Sequence, residues 1–207
     1  MNNTVIYLLR HGETEWNKVG RLQGQLASPL TEKGRMQAHK MGECLARELN
    51  GETSYSMVCS TLGRTRETAG IVCLALGFEY GRCTFDDLIM EISQGDWDGY
   101  TVDELEEKFP EGRAAYNLDK WHTVPPSGES NAMMEDRARQ WFAALPESSD
   151  SPDSPDPLIV VSHGAMGRVL RGHYAGLSQD EMLSLNRPQD AIFKLSGGTI
   201  EEIPVEG

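Results

Sequence analysis

Short apolar runs, separated by longer stretches of mixed polarity, organise this chain. Thr4–Leu9, Ser56–Cys59 and Leu158–Val161 are apolar or β-branched and lack polar alternation. That is the pattern of strands covered on both faces, as in a parallel sheet. Between them, apolar positions recur at helical spacing. From Thr31 to Leu49, Ala38, Met41, Leu45 and Leu49 share a face, with Thr31 as N-cap. From Arg64 to Leu76, Ala69, Val72, Cys73 and Leu76 do the same, and Gly77 supplies a stop. Strands alternating with helices predict an α/β fold with a mostly parallel sheet.

The pattern changes between Trp97 and Leu145. Tyr100–Phe109 and Ser130–Leu145 have helical spacing, while Trp121–Gly128 holds a Pro-Pro turn and a Ser-Gly. This segment is expected to cap the edge of the sheet. Pro146–Pro157 is rich in Ser, Pro and Asp and predicts a solvated loop. Ala191–Leu195 and Thr199–Ile203 flank Ser-Gly-Gly, a hairpin signal. No internal repeat is evident. The 207 residues predict one domain over 1–207, with a cap-like insertion at approximately 97–145.

Hydrophobic residues at 39% and charged residues at 25% match a soluble globular chain. No apolar run approaches the roughly 20 residues of a membrane helix. Val5–Leu9 is too short for a leader core and lacks a basic segment before it, so a cytoplasmic location is expected. The net charge of −13 argues against nucleic acid and anionic membranes, which need a basic footprint. Cys44, Cys59, Cys73 and Cys83 form no CxxC pair and have no metal-type spacing with histidine, and are expected to be reduced and structural.

The chemistry lies where the apolar runs end. They lead into Arg10-His11-Gly12, Ser60-Thr61-Leu62-Gly63-Arg64 and Ser162-His163-Gly164. Open α/β sheets bind ligands beyond the carboxyl ends of their strands. Two arginines and two histidines therefore converge on one crevice. Arginine forks match phosphate oxygens. Nearby Arg10 and Arg64 should keep His11 neutral, with a lone pair to act as nucleophile. Gly12 and Gly164 would let backbone approach a ligand, and a helix starting near Ala165 would add an anion site beside His163. The arrangement needs no metal and no cofactor.

Arg10-His11-Gly12-Glu13-Thr14, with Trp16-Asn17 and Leu22-Gln23-Gly24 after it, resembles the opening of the histidine phosphatase superfamily, in the branch containing cofactor-dependent phosphoglycerate mutase. Ser60-x-Leu62-x-Arg64 with Thr68-Ala69 resembles its second motif. Leu88-x-x-Glu91 with Gly95-x-Trp97-x-Gly99 resembles the proton-donor segment. Gly128-Glu129-Ser130 resembles a cap motif and Ser162-His163-Gly164 the last motif. The matches run in order from residue 4 to about residue 170. One departure is Ser28, where relatives commonly carry Asp.

The resemblance implies a three-layer α/β/α sandwich with an inserted helical cap. It implies His11 as nucleophile, His163 as its pocket partner and Glu91 as general acid. Arg10 and Arg64 would clamp the phosphoryl oxygens, with Asn17 and Gln23 as further contacts beside Gly24 and Gly164. Asp86, Asp87 and Asp96 are rivals of Glu91 by proximity in sequence. His39, His122 and His173 have no motif context; His122 is the one best placed to meet substrate.

The expected activity is metal-free hydrolysis of a small phosphomonoester through a phosphohistidine. A mutase is the alternative, since such enzymes hold a second anion with cap arginines and a basic tail. Here Lys108, Arg113 and Lys120 are spread along the insert among Glu104, Glu106, Glu107 and Glu111, and the tail from Glu201 is acidic. A non-catalytic phospho-ligand-binding regulator is a further alternative, opposed by the presence of both His11 and Glu91. A metal-dependent hydrolase would need a third protein ligand. A homodimer is compatible with the resemblance.

Overall fold

The computed structural model describes residues 4–145 and 156–205. In chain order its elements are β1 (Ile6–Arg10), α1 (Glu15–Lys18), α2 (Glu32–Leu49), β2 (Ser56–Ser60), α3 (Gly63–Leu76), β3 (Thr84–Asp86), α4 (Val102–Lys108) and α5 (Pro110–Leu118). Then follow α6 (Asn131–Ala144), β4 (Leu158–Ser162), α7 (Gly164–Ala175), α8 (Gln179–Ser184), β5 (Ala191–Ser196) and β6 (Thr199–Pro204). The strands form one sheet in the order β3-β2-β4-β1-β5-β6. The first four are mutually parallel, and β5 and β6 add antiparallel. The fold is thus the α/β class that the apolar runs predict.

Successive side chains of each central strand enter opposite cores, which is why polar alternation is missing. Ile6, Leu8 and Val160 pack with Met134, Trp141, Met166 and Leu170 of α6 and α7. Tyr7, Leu9 and Ile159 pack on the other face with Met41, Leu45 and Val72 of α2 and α3. Helices on both faces make the three-layer sandwich. Among the described residues no helix is long and apolar enough to cross a membrane.

The predicted helix ends hold. The Thr31 side chain accepts from the Gly34 amide at 3.0 Å, and Gly77 ends α3 in the left-handed region at φ 67°. The hairpin turns at Gly197-Gly198, both at positive φ. Two differences stand out. Pro110 reads as a helix end, yet it opens α5 at a first-turn position, where its missing N–H costs nothing. The segment 97–145 also divides. α6 lies within the span read as a cap, but Met134, Ala138 and Trp141 are fully buried against the sheet, so α6 belongs to a layer of the sandwich. α4 and α5 pack on each other and add nothing to either main core. The loop expected at Pro146–Pro157 lies, for residues 146–155, outside the described residues.

Candidate active site

The register of the sheet assembles the site. Arg10 pairs with Ser162 across β1 and β4, and the His11 amide donates to the Ser162 carbonyl at 3.0 Å. His11 and His163 follow the ends of these neighbouring strands, and their rings stand 5.3 Å apart edge to face. Both are buried. β2 ends beside β4 and delivers Ser60, whose hydroxyl meets His163 Nε2 at 2.8 Å. Arg64 follows in the first turn of α3.

His11 Nδ1 lies 2.8 Å from the Gly12 carbonyl oxygen. A carbonyl can only accept, so Nδ1 carries the proton and Nε2 the lone pair. Burial, reinforced by Arg64 and then Arg10, holds the His11 pKa well below the ordinary histidine value. The arginines were expected to be the cause; desolvation is the larger one. His163 is held down in the same way, first by burial and then by Arg64. Its Nδ1 is buried without a partner.

The arginines are fixed by carbonyls, not by acids. Arg64 donates to Gly24 O at 2.7 Å and Leu26 O at 3.0 Å, and its Nε is buried and unpartnered. Arg10 donates to the Arg187 carbonyl, its Nε is likewise unpartnered, and burial lowers its pKa to about 10, which leaves it charged at neutral pH. Donors left over beside two neutral imidazoles are what an arriving phosphoryl group can occupy.

Glu91 stands at the start of α7. Its carboxylate accepts from the amides of Ile92 at 3.0 Å, Ala165 at 3.1 Å and Met166 at 3.1 Å. The helix N-terminus expected to bind the ligand is therefore already occupied by the Glu91 carboxyl group itself. The segment carrying Glu91 is braced by Arg137, which pairs with Glu129 at 2.6 Å and donates to the carbonyls of Leu88 and Met90. This gives Gly128-Glu129-Ser130 a role, because Glu129 also accepts from the Ser93 amide. The rival acids are occupied or exposed: Asp86 caps Leu88, Asp87 accepts from Thr61, and Asp96 faces solvent.

Asn17 and Gln23 lie together on Thr14. Gln23 donates to the Thr14 hydroxyl, and Asn17 Oδ1 accepts from the Thr14 amide at 3.3 Å. Gln189, which sequence reasoning missed, bridges Asn17 Oδ1 at 3.0 Å and the His11 carbonyl at 3.3 Å. Asp98 was missed as well. Burial raises its carboxyl pKa to about 6, beside Arg64 and Glu91.

The glycines serve packing more than ligand approach. A Cβ on Gly12 would collide with the Gly34 carbonyl, so Gly12 lets α2 press against the His11 loop. Gly24, at φ 46°, faces the Asp98 carboxylate, and a Cβ on Gly164 would press the Arg10 guanidinium. His39 and His173 contact Glu43 and Phe142, away from this centre, and His122 faces Asp119 on the surface. Lys120 and Arg113 are not dispersed: together with Arg168 and Arg187 they line a cavity of about 300 Å³ that also takes in Ile92 and Ala165, beside Glu91.

Residues 6–198 match the profile of the histidine phosphatase superfamily (branch 1). A probable phosphoglycerate mutase, GpmB, of Salmonella paratyphi C is 39% identical over 159 residues, covering 77% of this chain and 69% of that protein. The alpha-ribazole phosphatase of Shigella flexneri shares the fold at TM-score 0.80, with 23% identity and 98% and 96% of the two chains aligned. A mycobacterial glucosyl-3-phosphoglycerate phosphatase, solved with VO3, aligns at TM-score 0.77 and 26% identity over 99% and 98%. Motif order, strand-end geometry and the profile over residues 6–198 agree: the chain belongs to the histidine phosphatase superfamily.

Proposed function

We propose that this protein hydrolyses a small phosphomonoester through a phosphohistidine on His11. The observation that carries this reading is the locked tautomer: Nδ1 is spent on the Gly12 carbonyl, and Nε2 has no hydrogen-bond partner among the described residues. In the first step Nε2 attacks phosphorus, the N–P bond forms, and the bond from phosphorus to the leaving oxygen breaks. Glu91 gives that oxygen its proton. In the second step Glu91 takes a proton from water, water oxygen bonds to phosphorus, and the N–P bond breaks to return His11 and inorganic phosphate. Arg10 and Arg64 neutralise the phosphoryl oxygens and neutral His163 offers them a ring N–H, with Asn17 and Gln23 shaping the loop beside them. Solved neighbours named as phosphatases support this reading.

Phosphate release from a panel of phosphomonoesters in EDTA tests it, with His11→Ala alongside. Release by the wild type alone, together with an acid-labile labelled enzyme, supports the covalent route. Turnover that survives His11→Ala removes it.

A mutase is the second reading, favoured by the names of the curated relatives and by the cavity. The electrostatic objection raised from sequence weakens, because Glu104 is paired with Arg21 at 2.6 Å and none of the insert's glutamates lines the cavity. Interconversion of phosphoglycerates without net phosphate release would favour it.

A further inference from the structure

A side-chain amide can face its neighbours either way round, and beside His11 two main-chain groups settle the matter for two amides at once. The Thr14 N–H can only donate, so the Asn17 atom 3.3 Å from it is Oδ1. The Gln189 atom 3.0 Å from that oxygen must then donate, which makes it Nε2. The same nitrogen stands 3.3 Å from the His11 carbonyl, which can only accept, so the second fixed group agrees with the first. With Oδ1 committed twice, Asn17 has the two N–H of Nδ2 left, and these have no hydrogen-bond partner among the described residues.

Gln189 belongs to none of the sequence motifs; the sheet delivers it. β5 runs antiparallel to β1 with Ile192 opposite Leu9, so the residues just before β5 lie beside Arg10 and His11. That segment is tied down on both sides of Gln189. The Asp190 carbonyl accepts from the Val205 amide at 2.9 Å. The buried Arg171 guanidinium of α7, 3.7 Å over the Phe193 ring, donates to Asn186 Oδ1 at 3.2 Å and to the Asn186 carbonyl. The Arg187 carbonyl accepts from Arg10. An amide held in this way is preorganised, which is what the orientation of a reacting group requires.

Building on the phosphatase reading, we propose that Gln189 is a positioning residue for phosphoryl transfer. It turns Asn17 so that its N–H groups, not its carbonyl, meet the phosphoryl oxygens, and it holds the main chain of the nucleophile. The opposite orientation of Asn17 would set a carbonyl oxygen against an oxyanion, two acceptors with no proton between them. Without Gln189, only the 3.3 Å bond from the Thr14 amide opposes that turn.

Four proteins test this: wild type, Gln189→Met, Asn17→Ala and the double variant. Methionine keeps the length of the side chain, removes the donor and adds no charge. On each protein kcat/KM for nitrophenyl phosphate is measured in EDTA, together with the Kd of inorganic phosphate by calorimetry and denaturant unfolding as a check on the fold. With Asn17 present, Gln189→Met should lower kcat/KM and phosphate affinity about tenfold, the scale of one hydrogen bond to a charged group. Once Asn17 is alanine the same change should cost about threefold or less, because the amide it positions is gone. A side chain that only packs the loop would cost the same factor in both backgrounds; that outcome, or no loss at all, overturns the proposal while leaving the phosphatase reading intact. If Gln189→Met does not fold, Gln189→Ala runs through the same cycle. If the wild type hydrolyses no ester, the phosphatase reading has failed and the phosphate titrations alone decide. Coupling between the two positions then supports the role of Gln189, and equal losses or no phosphate binding overturn it.

Discussion

His11 and His163 are neutral because they are dry, and that has a measurable cost. An unfolded histidine titrates near 6.5, whereas both folded ones titrate well below it. Below about pH 6.5 the unfolded chain therefore binds protons that the folded chain refuses, and stability falls with pH. The limiting slope is about 1.4 kcal/mol per pH unit for each histidine. Asp98 acts with the opposite sign. Its folded pKa of about 6 exceeds the ordinary 3.8, so acidification through pH 6 towards 4 restores stability that the ionised group withholds at neutral pH. Melting temperatures between pH 5 and 7.5 check both signs: His11→Asn should flatten the acid loss, whereas Asp98→Asn should raise the melting point at pH 7.5 and steepen the loss. Glu91 has a kinetic signature instead. Glu91→Gln should slow esters of alkyl alcohols far more than nitrophenyl phosphate, which needs no proton on departure. Equal losses on both would make Glu91 a structural residue.

At the scale of elements, α2 matters because its first turn is pressed against the His11 loop. Thr31→Ala removes the cap and should cost about 1 kcal/mol in denaturant unfolding, with little change in kcat. Gly34→Ala places a methyl group against the Glu13 carbonyl and must move the loop that carries His11. It should cut kcat at least tenfold more than Thr31→Ala does, a scale expected when a nucleophile shifts by a fraction of an ångström. The same contrast explains what was legible beforehand. Buried strands announce themselves by composition, and His11, Arg64 and His163 follow them within a few residues. Glu91 follows no apolar strand, so only the motif resemblance reached it. Arg168, Arg187, Gln189 and Asp98 owe their places to neighbours far away in sequence, such as Gln189 on His11, and no local pattern marks them. β3 has three residues, too few for any periodicity, and α5 hid behind Pro110.

Over the whole molecule, four thiols sit inside the fold. Cys73 and Cys83 lie with sulfurs 3.5 Å apart, unbonded, and burial pushes the Cys59 and Cys73 thiols up to about 12. A thiol reagent at pH 8 should leave the native protein unlabelled and modify it only at the rate of unfolding. Rapid labelling without denaturant would mean that the α3 face opens locally. The pairing of β1 with β4 has a further consequence. The spacing between the two histidines is the spacing between two hydrogen-bonded strands, so no side-chain adjustment can hold it once that ladder parts. These are central strands, the last part of a sheet to open. Warmed slowly, the protein should thus show no inactive but folded stage: turnover and β-sheet circular dichroism should vanish on one curve, which makes the enzyme assay a thermometer for the middle of the sheet.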